Sequence, residues 1–198
     1  MRVRTHTNPL NIIQRFDHIE LPDSTQELDI EIGFGKGVFL LNWAKQNPNH
    51  HVIGIEVRKQ MVDLLAKKLK QEKLPHTTIF HGNGQYFIND AAKDNSINRI
   101  FIFHPDPWFK SKHHKRRVVS NTFLKLALQK LKPKGKIYIS TDVEPLFEDM
   151  QTQFKEFKTF QTINDSFWET AYQTHWSQFS KTDKRDTFMQ TYEKIITK

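Results

Sequence analysis

Five times between residues 28 and 157, a short β-branched apolar run gives way to a stretch with apolar residues at helical spacing. LDIEIGF (28–34) passes through glycines into KGVFLLNWAKQ (36–46), with Pro48 as a stop. HVIGIEV (51–57) precedes the amphipathic 58–73, where Met61, Leu64, Leu65 and Leu69 share one face. HTTIFHG (76–82) precedes a short helix over 84–93, and INRIFIFH (97–104), apolar enough for a central strand, precedes a helix over 118–132 that Pro133 and Gly135 end. GKIYIST (135–141) precedes a helix over 143–157. Strands separated by helices cannot pair as hairpins and need crossovers, so the alternation predicts a parallel α/β sheet with helices on both faces. The pattern weakens after 157, and TFMQTYEKIIT (187–197) predicts a final strand, antiparallel at the sheet edge. No repeat, low-complexity tract or linker interrupts the 198 residues, so one domain is expected.

Charge narrows the partners. The formal net charge is +8, which suits a polyanion such as nucleic acid, although a merely soluble basic protein has the same sum. The distribution decides between them. Residues 110–117 hold Lys110, Lys112, Lys115, Arg116 and Arg117, together with His113 and His114, and no acid. Two adjacent histidines without a third ligand make a poor metal site, so contact with phosphate is expected for them and no metal is expected. Cysteine is absent, no apolar run approaches the ~20 residues of a membrane span, and the opening MRVRTHTNPL has no apolar leader core. The expected compartment is the cytoplasm.

In sheets of this kind ligands sit where strand carboxyl ends meet glycine turns. EIGFGKG supplies Glu31, Gly33, Gly35 and Gly37 at the first strand end, and Glu56 closes the second. A G-x-G-x-G turn alone is shared by dinucleotide and S-adenosylmethionine sites. Glu31 separates them. A pyrophosphate gains nothing from a carboxylate before the glycines, whereas a cationic sulfonium and ammonium ligand is attracted to it. Glu56 can accept both ribose hydroxyls, and Asn83, at the third strand end, can reach an adenine edge. Each has a plainer reading as well: helix cap or ion pair for Glu31, solvated strand end for Glu56, turn residue for Asn83.

The fourth run delivers HPDPWFKSKHHKRR (104–117). Pro105 and Pro107 fix φ on both sides of Asp106 and remove two backbone donors, which holds the carboxylate stiffly. A turn-forming aspartate is the bland alternative. Trp108 and Trp176 are candidates for stacking on a splayed base, and serve equally well as packing.

EIGFGKG, GIEV, PDPWFKSKHHKRR, TDVEP and the opening RVRTHTNPL together resemble the bacterial tRNA (guanine-N7)-methyltransferases of the TrmB type over nearly the whole chain. The proline–aspartate–proline–tryptophan motif with its basic tail is the specific part. The resemblance implies a Rossmann-like class I S-adenosylmethionine-dependent methyltransferase with a mostly parallel seven-stranded sheet, acting on a guanine of the tRNA variable loop. It implies S-adenosyl-L-methionine held by Glu31, Gly33, Gly35, Glu56, Asn83 and Asp106, with Asp106 also catalytic. Lys110, Asp142, Thr174, Trp176 and Ser177 would contact substrate, and Lys112, His113, His114, Lys115, Arg116 and Arg117 would contact RNA. Residues 1–25 would form an extension that is RNA-contacting or partly flexible. A monomer or homodimer without an obligate protein partner or membrane is expected. Two positions depart from the family: Asn83 stands where an aspartate is usual, and Ser177 where the late motif carries glutamate. A serine accepts far less than a carboxylate, which opens the alternative of a weak or inactive tRNA-binding paralogue. Guanine N7 attacks without first losing a proton, so positioning should dominate, with Asp106 accepting guanine N–H groups; base catalysis by Asp106 is the alternative.

Overall fold

The computed structural model describes residues 7–21, 26–175 and 186–196. Seven strands form one sheet: β1 (Glu27–Ile32), β2 (His50–Glu56), β3 (Thr77–His81), β4 (Ile97–Phe103), β5 (Leu131–Thr141), β6 (Phe160–Ile163) and β7 (Phe188–Lys194), in the order β3-β2-β1-β4-β5-β7-β6. The helices are α1 (Val38–Gln46), α2 (Lys59–Glu72), α3 (Gly84–Ala91), α4 (Asn121–Lys130), α5 (Glu144–Lys155) and α6 (Phe167–Thr170). β1 to β5 are parallel, and β7 runs antiparallel to both β5 and β6. The antiparallel margin is therefore two strands wide, with β7 against β5 and the short β6 outermost.

The period of two along each central strand divides the core between two faces. Ile100 and Ile102 of β4 and Ile137 and Ile139 of β5 meet α3, α4 and α5 on one side. Phe101, Phe103 and Tyr138 meet α1, α2 and α6 on the other. α4 ends at Lys130 and β5 begins at Leu131, so Pro133 and Gly135 lie inside the strand, next to a register shift opposite Ile97–Arg99, rather than beyond the helix. No helix among the described residues is long and apolar enough to cross a membrane.

Residues 7–21 lie against the parallel sheet's first half. Phe16 is fully buried, with its ring edge-on to Phe80 and Phe87. A side chain at Gly82 would meet that ring at 2.4 Å, so glycine there is what admits Phe16. Arg15 grips Asp90 of α3 with two hydrogen bonds of 2.7 Å, and Asp90 also accepts from the Phe16 amide.

Candidate active site

The strand order reverses direction between β1 and β4, and the crevice above that point is where a parallel sheet can hold a ligand. A cavity of about 410 Å³ opens there, at the carboxyl ends of the first four strands. It gathers Glu31, Gly33, Gly35, Glu56, Asn83 and Asp106, the residues expected at the cofactor, with Lys115, Arg116, Arg117 and Thr174. Lys110, Lys112, His113, His114 and Asp142 do not line it. Trp176 and Ser177 lie outside the described residues.

Glu31 is 4% exposed, and its Oε2 has no hydrogen-bond partner among the described residues. Burial, with the Glu56 charge adding to it, pushes the carboxyl up to about 8, against the pull of the Leu40 amide in the first turn of α1. The helix-cap reading thus accounts for one side of this carboxyl and leaves an oxygen orphaned beside the cavity. A buried acid in that state is stabilised by a cation that reaches it. The turn after β1 leaves room for one: Gly33 has φ +79, and a Cβ there would meet nothing within 4 Å.

Glu56 is held differently. It accepts from the Gly35 amide (2.8 Å), the Arg58 amide (3.0 Å) and two guanidinium nitrogens of Arg58 (both 3.0 Å). Arg58 is held protonated above its ordinary range, first by the Glu56 hydrogen bond, against burial, and further by the charges of Glu56 and Asp106. Arg58 therefore couples two cavity acids, a role that its ordinary position two residues after Glu56 did not signal. Asn83 caps α3, its Oδ1 accepting from the Gln85 amide (2.9 Å), while its Nδ2 donates to the Pro9 carbonyl (3.2 Å). The plain turn reading of Asn83 is realised, and through it Thr7, Pro9 and Leu10 become part of the cavity wall.

Asp106 is half-buried on a loop bracketed by two residues in the left-handed region, His104 (φ +47) and Trp108 (φ +45). Such φ values are costly for bulky side chains and persist only where the surroundings impose them. For His104 the cause is visible. Its Nδ1 meets Asp142 Oδ1 at 3.2 Å and its Nε2 meets the Tyr172 hydroxyl at 2.8 Å, which in turn lies 2.8 Å from Ser140 Oγ. A carboxylate only accepts, so Nδ1 carries the hydrogen toward Asp142. Burial pushes the Tyr172 phenol up to about 12, so its hydroxyl keeps its proton, and Thr174 shares in its hydrogen bonding. His104, held by Asp142 and Tyr172, thus ties the late segment at 172–174 to the loop that carries Asp106.

The basic strip is a 3-10 turn, Ser111–Arg116, and it divides in two. Arg117 donates from Nε to the Pro107 carbonyl (2.9 Å) and pairs with Asp149 (2.9 Å), so it braces the loop. Arg116 lies over the Trp108 indole at 4.8 Å. Lys112, His114 and Lys115 are exposed.

Residues 25–195 match a family model described as "Putative methyltransferase". The tRNA (guanine-N(7)-)-methyltransferase of Prochlorococcus marinus is 30% identical over 98% of this chain and 100% of its own length. That of Stutzerimonas stutzeri is 37% identical over 67% of this chain and 60% of its own. Several other curated relatives are likewise matched over about half to three-fifths of their length. A SAM-dependent methyltransferase from Aquifex aeolicus has the same fold, with a TM-score of 0.57 at 15% identity over 86% of this chain and 82% of its own. With its glycine turn, paired strand-end acids and proline-bracketed aspartate in one crevice, the chain belongs to the tRNA (guanine-N(7)-)-methyltransferase family.

Proposed function

We propose that the protein is an S-adenosyl-L-methionine-dependent methyltransferase of guanine N7 in the variable loop of tRNA, working as a single domain in the cytoplasm. The observation that carries this reading is the orphaned, buried Oε2 of Glu31 beside a cavity of about 410 Å³. A group that needs a cation there fits the ammonium end of this cofactor and repels a pyrophosphate. The open side of Gly33 leaves space for the ligand backbone, and Glu56 and Asn83 stand at successive strand ends for ribose and adenine. Glu56 would take ribose hydroxyls only by giving up part of its Arg58 pairing. The cofactor supplies a methyl group carried on a sulfonium.

The remaining residues position the base. Asp106, held between two prolines and two left-handed residues, offers an acceptor to guanine N–H groups and orients N7. Guanine N7 already has a lone pair, so no proton need be removed before it attacks. The His104–Tyr172–Thr174 connection keeps the late substrate segment in register with that loop. Lys112, His114 and Lys115 face outward for phosphate. The test is to incubate tRNA with protein and cofactor and map N7-methylguanosine at nucleotide resolution. Tight tRNA binding without that product would sink the enzyme reading, and calorimetric preference for a nicotinamide dinucleotide would sink the cofactor assignment.

A further inference from the structure

We propose that Phe109 is a stacking platform for an unpaired base of the RNA substrate, next to the base that enters the cavity; the inference rests on the tRNA methyltransferase reading above. Phe109 is 72% exposed, whereas its neighbour Trp108 is 9% exposed. The left-handed φ of Trp108 turns the chain so that one aromatic goes in and the next comes out. Trp108 is already engaged, with the Arg116 guanidinium over its ring at 4.8 Å and the His113 ring edge-on at 5.8 Å. It forms cavity wall and is poorly placed to receive a base. Among the described residues no ring packs on Phe109.

The surroundings of Phe109 select the occupant. Exposed Lys110, Lys112 and Lys115 share its loop and the following turn, and no acid lies between 107 and 117. An apolar protein segment would have to desolvate those ammonium groups, whereas a nucleotide offers a π-face to the ring and phosphate to the lysines. Trp108, Lys115 and Arg116 all line the cavity, and Phe109 follows Trp108 directly in the chain. The turn is pinned by His113 N to Lys110 O (2.7 Å), Arg117 N to His114 O (2.9 Å) and Arg117 Nε to Pro107 O (2.9 Å). The ring is thus presented from a fixed loop, which lowers the ordering cost of stacking.

The experiment compares Phe109→Ala, Phe109→Leu and Phe109→Trp with the unmodified protein. It measures tRNA affinity at several salt concentrations, affinity for S-adenosylmethionine, and N7 methylation. Phe109→Ala should weaken tRNA binding roughly 5- to 100-fold, with cofactor affinity and the salt slope unchanged. Phe109→Trp should bind at least as tightly as phenylalanine, and Phe109→Leu, apolar but without a π-face, should behave like alanine. Unchanged affinity in Phe109→Ala, or full activity in Phe109→Leu, overturns the stacking role. So does a change of oligomeric state in Phe109→Ala by light scattering, which would make this a protein contact. If the unmodified protein neither binds nor methylates tRNA, the functional reading itself fails; if it does both and only the Phe109 variants are silent, the stacking site alone fails.

Discussion

Affinity for S-adenosylmethionine should follow the titration of Glu31. Burial pushes this carboxyl up to about 8, so at pH 6 the ligand-free protein holds it protonated. An ammonium group binds the ionised form, and its arrival must expel the proton. Each pH unit well below 8 then costs about 1.4 kcal/mol, or tenfold in affinity, and the dissociation constant should rise roughly fiftyfold from pH 8 to pH 6. Stability of the ligand-free protein runs the other way. The folded state keeps a proton that the unfolded chain has lost, so this contribution is full below about pH 4.5 and fades as pH rises toward 8. By pH 7 the loss is roughly 3 kcal/mol. Glu31→Gln keeps the volume and removes the titration, so it should melt above the unmodified protein at pH 7 to 8 while binding cofactor weakly and without pH dependence. Calorimetry at pH 6, 7 and 8, in buffers of different ionisation enthalpy, counts the released proton, and thermal melts without ligand follow the stability. An affinity flat across that range, with no proton released, would show that Glu31 does not face the cofactor's cation.

Asp106→Ala should lower turnover roughly 100-fold or more, because a mispositioned base loses its near-attack geometry, while tRNA affinity by filter binding stays close to the original. Replacing Lys112 and Lys115 together by glutamine should weaken tRNA binding and reduce the salt slope by roughly 2. Arg117→Ala should instead lower the melting temperature, since that side chain braces Pro107 and Asp149. Phe16→Ala should destabilise by about 3–5 kcal/mol in denaturant titration and weaken cofactor affinity as well, because residues 7–10 reach the cavity through the same docked segment.

Most of the fold was legible because it is written in local periods. The isoleucines of β4 and β5 alternate with aromatics, and their two faces follow directly from the sequence. The β4 carboxyl end, with its paired prolines, located Asp106 for the same reason. What stayed hidden depends on partners distant in the chain. Nothing in TFLKLALQKLKPKG shows that the helix stops at Lys130, because the strand pairing of Leu131 with Ile97 overrides the helical spacing. β6 is four residues long, too short for a periodic signal, and among the described residues pairs with β7 alone. The basic strip read as one cationic surface, yet Asp149 of α5 draws Arg117 inward and Trp108 engages Arg116. The burial of Phe16 was equally silent, since it depends on the absence of a side chain at Gly82.

Asp29 and Glu31 show why charge placement in sequence is not yet charge state in structure. They lie two residues apart on the same face of β1, and both are buried. Asp29 is answered from within the fold, by the Trp43 indole (2.8 Å), His50 (2.7 Å) and Arg99 (3.2 Å). Among the described residues no cation pairs with Glu31, and Arg58, just past the β2 end, is paired with Glu56 instead. The protein treats two acids at adjacent strand ends asymmetrically: Glu56 takes the guanidinium, and Glu31 is driven toward its protonated form by burial, with the Glu56 charge adding to it. A cation that reaches Glu31 would favour its ionised form. Selectivity for an ammonium-bearing cofactor would then arise from which acid the fold leaves unanswered, a choice made by Arg58.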